Sequence, residues 1–200
     1  MYTYYVPTDH RPYARLFATG ADPAGPQSPL RHSLRPRLTA LAPTTADVIG
    51  HAGGWLLDQV LAGWDVTVIT ADGCDPRPLR ILGVRPRDLD IMSCAPVLGP
   101  CLEAVAVRSD LFARDERVRR MVLAAAGTGR ADIRLWGEVW PADFEECARP
   151  VSHELSFAAL AFKARAMAAA GVPAEPAATE VFLQGQVRRP GRVRVDSSFL

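Results

Sequence analysis

Residues 37–70, RLTALAPTTADVIGHAGGWLLDQVLAGWDVTVIT, read as a strand, a helix and a second strand in succession. RLTALAP (37–43) is a short apolar run of strand length. Thr44, Thr45 and Asp47 follow it and offer the side-chain oxygens that cap a helix start. Val48, Ile49, Ala52, Leu56, Val60 and Trp64 then recur at helical spacing, and Gly63 supplies a stop. DVTVIT (65–70) is β-branched, short and bounded by polar residues, which marks a strand. Two strands joined by a helix pair in parallel.

Working outward, similar signals continue. A loop, ADGCDPRP, leads into a short helix, PRPLRILG, and VRPRDLDIM is a strand that Pro86 demotes to a sheet edge or to a late start. CAPVLGP breaks the pattern. LEAVAVRSDLFARDERVRRMVLAAAG is expected to be helical, with a break near Ser109–Asp110, and a strand is expected at 131–136. Residues 151–170, VSHELSFAALAFKARAMAAA, are expected to form a helix ended by Gly171 and Pro173. TEVFLQGQVRRPGRVRV reads as two short strands joined around Pro190–Gly191. The fold class is therefore α/β: a three-layer, Rossmann-like sandwich with a mostly parallel sheet, an irregular N-terminal arm and a C-terminal β-hairpin. The domain occupies 37–185, flanked by an arm at 1–36 and a basic tail at 186–200.

Two short stretches resemble known families. Gly53–Thr70 resembles the first helix and second strand of the N-terminal half of GT-B glycosyltransferases, in which a Gly-Gly opens the helix and a G-x-x-V-T-V run forms the strand. About eighteen residues carry the resemblance. It implies a Rossmann-like half-domain; a complete GT-B enzyme needs a second domain for the sugar nucleotide, for which 200 residues leave no room. Val181–Gly191 is similar to the β-grasp motif of polysaccharide export proteins, a motif that normally runs further; a Pro-Gly hairpin accounts for the similarity.

The formal net charge of +1 conceals a segregation. Residues 1–37 carry five arginines against Asp9 and Asp22, and residues 186–200 carry four against Asp196, so each end is +3 and the middle is −5. All four tyrosines (Tyr2, Tyr4, Tyr5 and Tyr13) lie in the N-terminal arm. Tyrosine beside arginine suits stacking on bases or packing onto a protein surface. The basic residues are arginine throughout, except for Lys163. No apolar run has the roughly 18–20 residues of a membrane helix, and the N-terminus lacks a signal-peptide core, so a cytoplasmic protein with no membrane association is expected. Cys74, Cys94, Cys101 and Cys147 form no C-x-x-C pair.

Open parallel sheets bind ligands beyond the carboxyl ends of their strands, where loops meet helix N-termini. That rule selects Thr44, Thr45, His51, Gly53, Gly54 and Asp75 as ligand-binding candidates and Asp72, Glu138 and His153 as chemical groups. Gly50, Gly53 and Gly54 each cost a helix about 1 kcal/mol relative to alanine, which argues for a helix start near Gly54 after a glycine-rich loop. Close helix–sheet packing is the alternative. Neither G-x-G-x-x-G nor the P-loop pattern is present. His153, Ser156, Leu160, Lys163 and Met167 share a stripe at helical spacing that reads as a solvated face. Asp72, Asp75 and Glu138 are hard-ligand types, but no metal site is assigned. Trp136 and Trp140 flank Glu138 and read as core. The charges around Arg114–Arg120 read as local helix ion pairs.

No cofactor is identified. The expected function is a binding or regulatory module that holds a small ligand, phosphorylated or a nucleotide, at the strand-end crevice and a protein partner or second copy through its basic arms. The alternatives are a small transferase using a nucleotide or sugar nucleotide, and single-stranded nucleic-acid binding through the N-terminal arm.

Overall fold

The side chain of Thr44 separates the first strand from the first helix: its hydroxyl accepts the amide of Asp47 at 3.1 Å and caps the helix. The computed structural model describes residues 35–90, 102–138 and 148–185. Strand β1 (Arg37–Ala42) leads into α1 (Thr45–Leu61), β2 (Asp65–Thr70), α2 (Pro76–Ile81) and β3 (Arg85–Asp88). After residues 91–101 come β4 (Leu102–Arg108), α3 (Ser109–Arg114), α4 (Glu116–Gly127) and β5 (Asp132–Trp136). Then follow β6 (Arg149–Glu154), α5 (Phe157–Ala169) and β7 (Thr179–Gly185). Gly63, at φ 91°, ends α1 in the left-handed region open to glycine.

The seven strands form one sheet in the order β3-β2-β1-β4-β5-β7-β6. The first five pair in parallel, and β7 runs antiparallel to both β5 and β6. Alternation along β1 and β4 separates the two faces. Leu38, Ala40, Ala42, Ala104 and Ala106 pack with α1, α2 and α5; Leu41, Val105 and Val107 pack with α3 and α4. The three-layer α/β sandwich with a mostly parallel sheet is thus present, and β3 with Pro86 lies at an edge as expected.

Several expectations are corrected. LEAVAVR is strand β4, not helix, because a central parallel strand buried on both faces is a continuous apolar run that periodicity does not distinguish from helix. The helix expected over 151–170 is divided: Arg149–Glu154 pair with β7, and α5 starts at Phe157, capped by the Ser156 hydroxyl, which accepts the Ala159 amide at 3.0 Å. The glycine-rich loop does not form either. Helix α1 runs through Gly50, Gly53 and Gly54, so Gly-Gly does not open it. A Cβ on Gly53 would lie 3.3 Å from Leu82, and one on Gly54 would enter the space of the Leu155 side chain. Close packing is what these two glycines serve. The second strand of the expected C-terminal hairpin, the Tyr-rich arm up to residue 34, Cys94, Cys101, Trp140 and Cys147 lie outside the described residues.

Helix α4 illustrates a local determinant. The Asp115 carboxylate accepts the amides of Arg117 at 2.8 Å and Val118 at 3.3 Å and pairs with the Arg117 guanidinium at 2.9 Å. The Arg117 side-chain hydrogen bond holds this carboxyl below its ordinary range; burial opposes that, and the two amides reinforce it. A depressed carboxylate pKa stabilises the fold above the unfolded-state value and loses that contribution as pH falls through the folded-state value. In urea titrations Asp115→Ala should cost about 1 kcal/mol at pH 7. Its difference from wild type should shrink as the pH drops below about 4; a difference constant down to pH 2.5 would exclude this origin.

Candidate functional site

The strand order reverses direction between β1 and β4: β1 continues to β2 on one side, and the chain returns through β4 on the other. The helices after these strands cover opposite faces, which opens a crevice at the carboxyl ends. Four side chains meet there. Asp47, in the first turn of α1, accepts a hydrogen bond from Arg108 Nη1 at 2.6 Å on one carboxylate oxygen and from Trp136 Nε1 at 3.1 Å on the other. Arg108 ends β4 and Trp136 ends β5, so three elements place a single carboxylate.

His51, one turn along α1, completes the cluster. Its Nδ1 lies 2.9 Å from the Asp47 carbonyl, and its Nε2 lies 3.4 Å from Arg108 Nη1. A carbonyl only accepts and a guanidinium only donates, so the network assigns the proton to Nδ1 and makes Nε2 the acceptor facing Arg108. Asp110 Oδ1 lies 3.2 Å from Arg108 Nε, which places the guanidinium between two carboxylates. Gly137, at φ 123°, sits against Arg108 and the buried Ser109 hydroxyl where a Cβ would collide. The His51 ring is half exposed, whereas Asp47 and Arg108 are mostly covered. The crevice thus has a salt-bridged floor and an imidazole at its rim.

The candidate residues divide into groups. Thr44, Thr45 and His51 belong to this crevice; Thr44 is the cap, and the Thr45 hydroxyl donates to the Asp75 carbonyl at 3.4 Å. The Asp75 side chain caps α2 through the Arg77 amide at 3.0 Å. Asp72 is exposed after β2, and Glu138 is exposed after β5. Two strands, β1 and β4, lie between β2 and β5, a separation of about 14 Å. Asp72 and Glu138 therefore flank the crevice from opposite sides and do not share a ligand atom. Among the described residues no three His, Cys, Asp or Glu side chains gather in a way that could hold a metal ion.

His153 lies elsewhere. It is on β6, not on a helix, and its Nε2 meets Asp58 Oδ2 at 2.8 Å. Ser156 donates to the same carboxylate through its hydroxyl at 2.6 Å and its amide at 3.2 Å. Serine and histidine both bind the aspartate rather than each other, so the trio fastens β6 and α5 to α1 and does not form a nucleophile–base pair. Lys163 is buried, not solvated: its ammonium pairs with Glu180 at 2.6 Å. Gly53 and Gly54 lie within α1, away from its N-terminus. Asp47, Arg108 and Trp136 were missed as a site. Reading LEAVAVR as a strand would have exposed Arg108, since it then stands at a carboxyl end beside the α1 start.

Scanned against protein-family models and curated proteins, the sequence matches none. Solved structures do resemble it. The A40926 pseudoaglycone deacetylase Dbv21 matches at 16% identity and TM-score 0.54, over 79% of this chain and 100% of that one. The zinc-inhibited form of teicoplanin deacetylase Orf2 matches at 13% identity and TM-score 0.52, over 78% and 100%. A deacetylase–teicoplanin complex matches at 14% identity and TM-score 0.52, over 76% and 100%. The likeness shows the fold. At these identities it carries no activity across, and the α/β sandwich found in those deacetylases is what the chains share. Among the described residues no helix is long and apolar enough to cross a membrane.

Proposed function

We infer that the chain is a binding module which holds a small carbohydrate-type ligand at the β1/β4 crevice and does not turn it over. The observation that carries this reading is the engagement of Asp47. Its two oxygens already accept from Arg108 and Trp136. A carboxylate whose two oxygens hold a guanidinium and an indole N–H from two strands is fixed as a structural partner of those strands.

The groups left facing outward set the ligand chemistry. The α1 N-terminus favours a carboxylate or phosphate, and the half-exposed His51 ring offers a polar edge; Arg108, mostly covered between Asp47 and Asp110, lies beneath them. Asp72 and Glu138, on the two rims, suit sugar hydroxyl donors. The fold supports the class, because the similar structures include a deacetylase in complex with teicoplanin and a pseudoaglycone deacetylase. An acidic or phosphorylated N-acyl sugar is the best-matched ligand.

Calorimetric titration with N-acetylglucosamine 6-phosphate and with its uncharged parent sugar tests this. The phosphorylated sugar should bind more tightly, and His51→Ala or Arg108→Ala should weaken it by at least tenfold, equivalent to about 1.4 kcal/mol. Acetate release should stay at background over hours. Turnover of either sugar would replace the binding module with an enzyme, and affinity unaffected by both substitutions would remove the crevice as the site.

A further inference from the structure

Polar side chains from β5, β7 and β6 stand in one row across the sheet. Register sets Arg134 of β5 opposite Gln184 of β7, and Gln184 opposite Arg149 of β6. Residues paired directly across antiparallel strands share a face. Phe182 and Val151, two residues along β7 and β6, pack in the core with α1 and mark that face. Asp132, two residues before Arg134, holds both of its neighbours: its carboxylate accepts from Arg134 Nε at 3.0 Å and from Gln184 Nε2 at 2.7 Å. The Arg134 guanidinium also lies over the Trp55 ring, 4.8 Å from its centroid, and 5.9 Å from that of Phe182. A carboxylate only accepts, so Gln184 turns its amide nitrogen toward Asp132 and keeps Oε1 for another partner. Among the described residues neither Nη of Arg134 donates a hydrogen bond, Gln184 Oε1 accepts none, and Arg149 has no hydrogen bond or ion pair through its side chain. Arg149 is exposed, and Arg134 and Gln184 are partly so.

We propose that this row is a second ligand site, which takes a small organic carboxylate with a hydrogen-bond donor beside the acid. Each requirement follows from a group left without a partner. The Nη edge of Arg134 offers a planar pair of N–H donors at the spacing of carboxylate oxygens. Arg149 stands two strands away, about 10 Å between Cα atoms, and both side chains are long enough to close on one anion above Gln184. Asp132 offsets one of the two positive charges, so a single charge remains to be matched, which suits a monoanion. Gln184 Oε1 needs a donor, and its place between the arginines sets that donor next to the acid. An N-acyl amino acid has this pattern in its amide N–H, and an α-hydroxy acid has it in its hydroxyl. Asp132 and Trp55 already orient the guanidinium, so binding freezes little rotamer freedom. Arg134 lies two residues before Trp136, on the side away from the crevice, and the site does not depend on the ligand proposed there.

Proton–nitrogen NMR titrations of the full chain with N-acetylglycine and with glycolate test this, and the two probes separate an amide from a hydroxyl as the neighbouring donor. At least one should move the Arg134 Nε–H and the Gln184 side-chain amide signals saturably, with a midpoint in the millimolar range. N-acetylglycinamide lacks the charge and should bind about tenfold or more weakly than the acid. Arg149→Gln, at an exposed position of a strand at the sheet edge, should weaken binding by about tenfold, and Arg134→Gln should abolish it. Circular dichroism checks that both variants remain folded. The proposal fails if neither probe moves those signals up to about 50 mM, or if the uncharged amide binds as well as the acid. It fails equally if Arg149→Gln leaves the midpoint unchanged. Shifts confined to the His51 ring would assign the binding to the crevice and also overturn it.

Discussion

Replacing Glu180 with leucine should lower the thermal midpoint by about 10 °C or more, the equivalent of roughly 3–5 kcal/mol. Glu180 and Lys163 are almost completely buried and pair at 2.6 Å. The same carboxylate accepts the amide of Gly54 at 2.9 Å and that of Trp55 at 2.8 Å, both from the middle of α1. One acid thus joins β7, α5 and α1. Without it an ammonium is left in an apolar interior with no counter-charge, and two amides lose an acceptor. The reciprocal change, Lys163→Met, should cost less, because the carboxylate keeps both amide donors. The double variant should recover part of the loss but not all, since the hydrogen bonds of the α1 amides to Glu180 are not restored. Calorimetric scans of the three variants give the order; a shift under 2 °C for Glu180→Leu would show that the interior tolerates the lone lysine.

A similarly large effect is expected at Gly54. Helix α1 passes Leu155 so closely that a Cβ on Gly54 would overlap the leucine side chain. Gly54→Val adds bulk where none fits, and overpacking costs about 1–3 kcal/mol. A β-branched residue also gives up part of the helix propensity gained over glycine. Leu155 is the obstacle, so Leu155→Ala in the same chain should restore part of the stability. The diagnostic is the coupling energy from a double-mutant cycle in urea. Additive losses would place the strain elsewhere in α1. Gly50 is the internal control, since nothing lies within 4 Å of a Cβ there and Gly50→Ala should be neutral or stabilising.

Both effects concern residues whose meaning was hidden in the sequence. Lys163 read as part of a solvated stripe because His153 and Ser156 precede it at helical spacing, and the pairing of Arg149–Glu154 with β7 removes that spacing. A strand of six residues beside a helix of thirteen cannot be separated by periodicity when serine and histidine fall at the junction. The packing alternative at Gly53 and Gly54 was visible in the residues, but the neighbours that require it, Leu82 and Leu155, are 29 and 101 positions away. The residues around the candidate crevice are legible in part. Thr44, Thr45 and His51 follow from the carboxyl-end rule, whereas Arg108 was concealed by a strand that reads as a helix, and Trp136 was placed in the core without its bond to Asp47.

The strand–helix–strand order over 37–70, the stop at Gly63 and the α/β class are legible in the residues alone; the cap at Thr44 was one of three candidates there. Each depends on groups within a few residues of one another, where backbone geometry and burial period act directly. Only the tertiary structure decided that Asp47 is held by Arg108 and Trp136, that Glu180 reaches the middle of α1, and that β7 lies between β5 and β6. The side-chain contacts among these join residues 61 to 126 positions apart in the chain. Their energies arise from charges and donors that become neighbours only when the sheet has formed, and no local pattern encodes such a pairing.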